Sequence, residues 1–462
     1  MGRFARITII GLLGGLTPAL AGAQTAQHVP VAQLVPEMIA SGAVLAPGSL
    51  APGNDQSNHF VAAASANSAL AGLNRTLALQ VGSFPIGPTG TTVLLGGDSS
   101  TDGKTLFAAG YTDGAATLGR GRRSLAVSYQ DTTYDSLDGL DLRGSGINLF
   151  TRSACCASTE SDRDLLQETL SLRVHRRATA FTLGYGVSDR FDIGIVVPFV
   201  QVVADARVES TILRTATAGD PTIHEFNPIG LGDQLIPSGT IQVNGQPVAS
   251  GIAGTGHSEA KGVGDVILRS KLRLLQSGNQ QLAVGLDLQA PTGNADELIG
   301  LGATRVTPAV MWSIESRRAG ARARIDYTES FGNLSSLLAS PGVDLKVPNE
   351  LGYEIGFDLA VAPRTTFVAD VVGRRIPGVA GFSTANTVFS SSGPGPLPSA
   401  SFVGVNNLEQ TGLRTLDTML VSTGARVYLG GPIFVDLRVL FPAGNSGLTP
   451  RPTGVFTLDY AF

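Results

Sequence analysis

Two of the five histidines stand beside carboxylates, in His224-Glu225 and His257-x-Glu259. An imidazole next to a carboxylate is the smallest unit of general-base chemistry, and two such pairs brought together would suit a divalent metal. Both lie in a long stretch rich in proline and glycine, where solvated polarity is the simpler account. His28 and His59 come early in the chain. His175 stands between Arg173 and Arg177, whose charges favour a neutral ring but supply no carboxylate to orient it. A hydrolase needs a nucleophile within reach of an oriented base, and no such set is legible, so no enzyme activity is expected. Cys155 and Cys156 are adjacent; a vicinal disulfide, an intermolecular bond and two free thiols all stay open. Phosphate loops, dinucleotide glycine patterns, calcium loops and paired-cysteine metal motifs do not occur, and no cofactor is expected.

A second set of ionic residues is defined by spacing. It comprises Arg173 and His175; Arg269, Lys271 and Arg273; Asp287; Arg305 and Glu315; Arg322, Arg324 and Asp326; Glu354 and Asp358; Arg426; Asp436 and Arg438. Each takes the phase opposite to apolar neighbours, so together they would line one shared interior. Opposite signs fall on successive segments, with Arg269 and Arg273 before Asp287 and Arg305 before Asp326. Buried ions are costly unless paired, so a mutually paired network is expected ahead of the alternative, a pore lining whose charges tune selectivity. On that reading Asp287 matters more to stability than to ion preference.

The elements that must hold these charges are strands. In Thr182–Phe199, TLGYGVSDRFDIGIVVPF, Phe181, Leu183, Tyr185 and Val187 share one phase, and Phe191, Ile193, Ile195, Val197 and Phe199 share another. Period-two alternation on both sides of a short polar turn describes a β-hairpin. The device recurs to the end of the chain. Leu125, Val127 and Tyr129 alternate; Leu170, Leu172 and Val174 are read as outward; a bulge is read near Arg176–Ala178 and a second phase change at Pro198. Later outward rows are Leu268–Leu274, Leu282–Leu288, Val306–Ile314, Ile325 and Tyr327, Leu351–Leu359, Phe367–Val371, Val421–Leu429, Ile433–Val439 and Phe456–Phe462. Short turns alternate with long interruptions at about 135–163, 208–261, 332–349 and 376–410. Apolar faces on so many strands need an apolar surrounding, and the rhythm is that of bacterial barrels, with short periplasmic turns and long external loops. An all-β fold is expected: an outer-membrane transmembrane β-barrel of about 12 antiparallel strands (12–14), closed because an open edge in lipid would leave backbone groups unpaired.

Composition and the chain's beginning agree. Only 15% of the 462 residues are charged, 58 are glycine, and the formal net charge is −4 without basic clusters, which argues against nucleic acid. Arg3 and Arg6, the apolar run from Ile7 and Ala21-Gly22-Ala23 read as a secretory signal over 1–23. Residues 24–121 are an Ala/Gly/Pro-rich segment placed either in the periplasm or partly inside the lumen as a plug. Helices are expected at Val35–Ala40 and Phe60–Leu73, and a strand over Leu77–Val81. The barrel is expected over 122–462.

Several short motifs carry a resemblance. Tyr185-Gly186-Val187-Ser188-Asp189-Arg190-Phe191-Asp192 followed by Pro198, Gly262-Val263-Gly264-Asp265, and Leu286-Asp287-Leu288-Gln289-Ala290-Pro291-Thr292-Gly293 resemble the outer-membrane transporter family associated with the meta-pathway of phenol degradation. Leu77–Ile86 and Leu118–Tyr129 are similar to its N-terminal portion. The resemblance implies passive uptake of small hydrophobic or aromatic molecules across the cell outer membrane, and carries over no binding residue. Phe456-x-Leu458-x-Tyr460-x-Phe462 resembles the C-terminal strand signal read by the outer-membrane assembly machinery, which with outer-membrane lipid is an expected partner. A structural or adhesive barrel acting through its long loops is the other reading, and an outer-membrane hydrolase a third.

Overall fold

The computed structural model describes residues 28–45, 56–65, 67–85, 111–144, 147–154, 164–213, 249–316, 318–339, 344–390 and 401–462, with a few short stretches between them. The signal segment 1–23 and the Cys155-Cys156 pair lie outside the described residues. Twelve long antiparallel strands close into one barrel. In chain order they are β1 (Arg123–Leu137), β2 (Leu165–Gly186), β3 (Phe191–Leu213), β4 (Ala249–Val263, continued by Ile267–Ser277) and β5 (Gln280–Gln289). Then follow β6 (Ala303–Glu315), β7 (Ala319–Gly332), β8 (Glu350–Ala362), β9 (Thr365–Ser390), β10 (Ser401–Gly430), β11 (Ile433–Pro442) and β12 (Thr453–Ala461). Every consecutive pair is antiparallel, and β12 returns to β1 with Tyr460 opposite Leu125. The seam is finished by two hydrogen bonds between Arg123 and Phe462, at 2.7 and 2.9 Å. Closure satisfies the ladder that lipid could not. No helix among the described residues is long and apolar enough to cross a membrane; this barrel crosses with strands.

The outer surface carries a continuous apolar band. Leu183, Tyr185, Leu268, Leu286, Trp312, Ile325, Ile355, Phe357, Leu437, Phe456 and Leu458 are all exposed there. Such a band has no place in water and defines the part of the wall that faces outer-membrane lipid.

On β2 and β3 the alternation keeps its phase but reverses its polarity. The β2–β3 register runs from Leu165 opposite Leu213 to Gly186 opposite Asp192 with no shift. The bulge expected near Arg176–Ala178 and the phase change at Pro198 are therefore absent. Along one outward row Phe181, Leu183 and Tyr185 are exposed and apolar, while Arg173 and Arg177, farther from the short turn, are exposed and charged. On the inward row Leu170, Leu172, Val174, Val200, Val202 and Ala204 are buried in an apolar core. These strands run past the bilayer on the side of the long loops, and there the wall is organised like a soluble protein, oily inside and polar outside.

That core is filled by the N-terminal segment. Helix α1 (Leu34–Gly42) packs on β3 and β4, a five-residue turn of helix α2 (Val61–Ser65) on the strand Ile147–Arg152 in the β1–β2 connection, and helix α3 (Ser68–Gly82) on β9 and β10. Asn67 caps α3 by accepting from the amides of Ala69 and Leu70. Ile39, Leu45, Phe60, Leu73, Leu77 and Leu79 all join the core. The strand expected over Leu77–Val81 is thus helix: five alternating residues fit either structure, and a helix buried on nearly every side shows no polar face. Gly256 on β4 allows α1 to lie close, since a side-chain carbon there would fall 2.6 Å from the Met38 sulfur. The expected loops 208–261 and 376–410 are also shortened, because β3 continues to Leu213, β4 begins at Ala249, and β9 and β10 pair out to Ser390 and Ser401.

Candidate functional site in the barrel lumen

Below the apolar core, toward the short turns, the interior becomes ionic. On β11 the alternation that exposes Leu437 buries Asp436 and Arg438; Arg438 Nε and Nη2 donate to both Asp436 oxygens at 2.7 Å, and Nη1 pairs with Asp370 on β9. Arg426 on β10 reaches Asp459 at 2.5 Å and Asp436 at 3.5 Å. Arg322 spans Asp358 at 3.1 Å and Asp370 at 3.6 Å. Arg324 bridges Asp287 at 3.1 Å and Asp326 at 3.0 Å, and Arg269 adds a second guanidinium to Asp287 at 3.4 Å. Glu350 accepts from Arg305 at 2.7 Å and Arg374 at 2.6 Å. Some links join neighbouring strands, such as Arg322 to Asp358, and others skip a strand, such as Arg438 to Asp370 and Arg305 to Glu350, so the network ties the wall across its own interior, as a paired set should.

A stretch of the N-terminal segment threads this region. Lys271 donates to Asp113 Oδ1 at 2.6 Å and to the carbonyls of Gly114 and Ala116 at 2.9 and 3.4 Å. The Ala115 amide donates to Ser313 Oγ at 2.7 Å and the Leu118 amide to Asp192 at 2.8 Å. Burial disfavours the Asp113 charge, but Lys271, with Arg269 and Arg324 behind it, outweighs that and holds its pKa below the ordinary carboxylate value. The thread then meets the β2–β3 turn, where Gly121 donates to the Gly186 carbonyl at 2.7 Å. Gly186 is needed there, since a Cβ would lie 1.9 Å from the Gly119 oxygen.

Between the thread, the end of α3 and the walls of β4 to β9 is a polar cavity of about 190 Å³. Arg269, Asp287, Arg305, Arg324 and Asp326 face it on one side, and Phe84 and Tyr111 on the other.

Of the charges expected inside, Arg269, Lys271, Asp287, Arg305, Arg324, Asp326, Asp358, Arg426, Asp436 and Arg438 are buried or half-buried members of the network. Arg273 donates to the Asp189 carbonyl at the turn, 2.7 Å away, and Glu315 lies at the end of β6, where the charges of Arg322 and Asp358 act on it. Arg173 and His175 are not in the lumen. Arg173 is exposed on the outer face, and His175 pairs with Asp131 beside Arg177, above the lipid-facing band. Their misplacement has one cause, the polarity reversal of β2.

The sequence reading missed Asp113 and Tyr111, which lie in a glycine-rich stretch without periodicity. Asp370 and Asp459 alternate with Val371 and Tyr460 and were legible by the rule that found the others. The histidine pairs find separate partners: His257 Nδ1 lies 2.8 Å from Asp205, while His224, fully buried, lies 2.8 Å from Asp164 and 3.2 Å from His59. No group of three His, Cys, Asp or Glu among the described residues is placed to hold a metal.

Asp287 receives two guanidinium groups, so Asp287→Ala is expected to cost about 3–5 kcal/mol by leaving buried charge uncompensated. Heat-modifiability on gels, with single-channel ion preference alongside, separates this from a selectivity role. An unchanged melting point with altered ion preference would contradict the paired reading.

Residues 206–387 match a family described as "Putative MetA-pathway of phenol degradation", the family its motifs resemble. No curated protein matches the chain. Solved structures similar to it include an outer-membrane channel from Pseudomonas putida F1, at 13% identity and TM-score 0.41, covering 79% of this chain and 100% of the other. The CymD monoaromatic hydrocarbon channel is similar at 11% identity and TM-score 0.33, covering 81% and 97%. The toluene transporter TbuX of Ralstonia pickettii is similar at 10% identity and TM-score 0.32, covering 82% and 97%.

Proposed function

We propose, from the match of residues 206–387 to the phenol-degradation family, that this barrel is a passive outer-membrane channel for small hydrophobic or aromatic molecules. The observation that carries the reading is the lumen cavity, a space of about 190 Å³ between a charged wall and an aromatic edge, inside a closed barrel. The N-terminal segment acts as its plug. Residues 24–121 and 122–462 then form two functional parts, an inserted gate and the wall around it. The lumen charges named above hold the wall and thread in register, and those bordering the cavity, Arg269, Asp287, Arg305, Arg324 and Asp326, meet the permeant. Proteins of this kind reach lipid through the assembly machinery, for which the strand ending at Phe462 supplies the recognition signal.

Proteoliposome swelling with phenol, benzyl alcohol, a disaccharide and a linear alkanol, offered in parallel, tests the reading. Faster entry of the two aromatic solutes than of the disaccharide is expected. Protein-independent rates for all four would remove the channel assignment and favour a plugged structural barrel.

A further inference from the structure

Among the described residues, Arg176 is a buried cation that belongs to no ion pair of the network. Arg176 on β2 is 2% exposed, and its Nε and Nη1 meet no hydrogen-bond partner. A guanidinium does not lose its proton in proteins, so Arg176 carries a full charge in a buried site. Its surroundings are aromatic. Arg176 stands opposite Thr132 on β1, which puts the inward-facing Tyr134 on the diagonal of the same ladder. Tyr134 is fully buried and its hydroxyl also meets no partner. Tyr111, on the plug thread, lies close enough for its phenol to feel both Arg176 and the Arg438 cluster, and donates to Gln130 at 3.2 Å. Phe84 packs edge-on to Tyr134, ring centres 5.5 Å apart, and with Tyr111 forms the aromatic edge of the polar cavity.

The carboxylates of this region are committed elsewhere. Asp370 and Asp436 serve Arg438, and Glu350 serves Arg305 and Arg374. No carboxylate among the described residues forms an ion pair with Arg176. We infer that Arg176, with the Tyr134 hydroxyl, is a carboxylate-binding site behind the aromatic edge of the lumen cavity, and that small aromatic carboxylates are the permeant class it selects. A guanidinium takes a carboxylate in two parallel hydrogen bonds, the tyrosine hydroxyl adds a third donor, and Phe84 and Tyr111 offer ring faces and edges to the aromatic body. The permeant half of this statement rests on the channel reading above; the binding half does not.

Equilibrium dialysis of the full-length protein in detergent with radiolabelled benzoate tests the site without requiring passage. One benzoate per chain is expected for the native protein. Binding is expected to fall at least about tenfold in Arg176→Met, as loss of a charged hydrogen-bonded partner implies. Tyr134→Phe keeps the ring and is expected to weaken binding by about three- to tenfold, which guards against a misfolded Arg176 variant. Benzyl alcohol and acetate are expected to compete poorly, each having only half of the recognised chemistry. Absence of benzoate binding by the native protein, equal binding by Arg176→Met, or displacement by chloride as effective as by benzoate itself would overturn the inference. Failure of the swelling assay with benzoate still bound would remove the channel reading and leave the site.

Discussion

Asp370→Ala is expected to destabilise the barrel by about 3–5 kcal/mol, because removing one partner strands the other as buried, uncompensated charge. Asp370 is almost wholly buried and lies where three strands meet: it pairs with Arg438 from β11 and with Arg322 from β7 while sitting on β9. Arg438 keeps Asp436 after the change and Arg322 keeps Asp358, but the carboxylate that joins the two guanidinium groups is gone. Urea unfolding of the protein folded into lipid vesicles, read by the gel shift between folded and unfolded forms, measures the loss. A change below about 1 kcal/mol, the range of an exposed pair, would mean that water reaches the cluster.

Lys271→Met is expected to have the larger functional effect. The ammonium holds the plug thread by three contacts, to Asp113, Gly114 and Ala116, and no other side chain among the described residues engages all three. Without it the Asp113 carboxylate is left buried in the lumen with its principal partner gone, and release of the thread is the way for it to regain full solvation. Single-channel conductance in planar bilayers is expected to rise severalfold, with a matching drop in melting temperature. The double variant Lys271→Met/Asp113→Leu replaces the pair by apolar groups and is expected to recover most of the stability and the low conductance, since an apolar pair often substitutes for a buried ionic one. Unchanged conductance in the single variant would mean that the thread is held by its backbone contacts to Ser313 and Asp192 instead.

How much of this was legible in the chain depends on what alternation can convey. Period two fixes which residues share a face, and for the lipid-facing half of the wall the apolar face is the outer one. Leu268, Phe357 and Leu437 fall outside and Asp287, Asp358 and Arg438 inside, as read. Alternation carries a phase and no sign. On β2 the oily row Leu170–Val174 turns inward because a helical plug waits there, and nothing within that strand announces the plug. An observer assuming one sign must then invent a bulge to rejoin Arg173 to Phe181. Arg176 was hidden for the same reason, sitting in a row whose neighbours are apolar. The second half of α3, read as a strand, escaped for another: the helix is buried nearly all round, so it lacks the polar stripe by which a helix is recognised.

The position of the first described residues has an implication for biogenesis. His28 and Val31 contact Glu297 in the connection between β5 and β6, at the external mouth, whereas the thread arrives at the opposite rim immediately before β1. The described residues of the N-terminal segment therefore reach both mouths of the pore, and only a couple of residues separate the thread from the seam where Arg123 meets Phe462. Zipping of the first strand to the last must wait until that segment has been laid across the half-curled sheet, or else a finished ring has to be threaded. A chain built this way commits a part made before the wall to surroundings completed only after it.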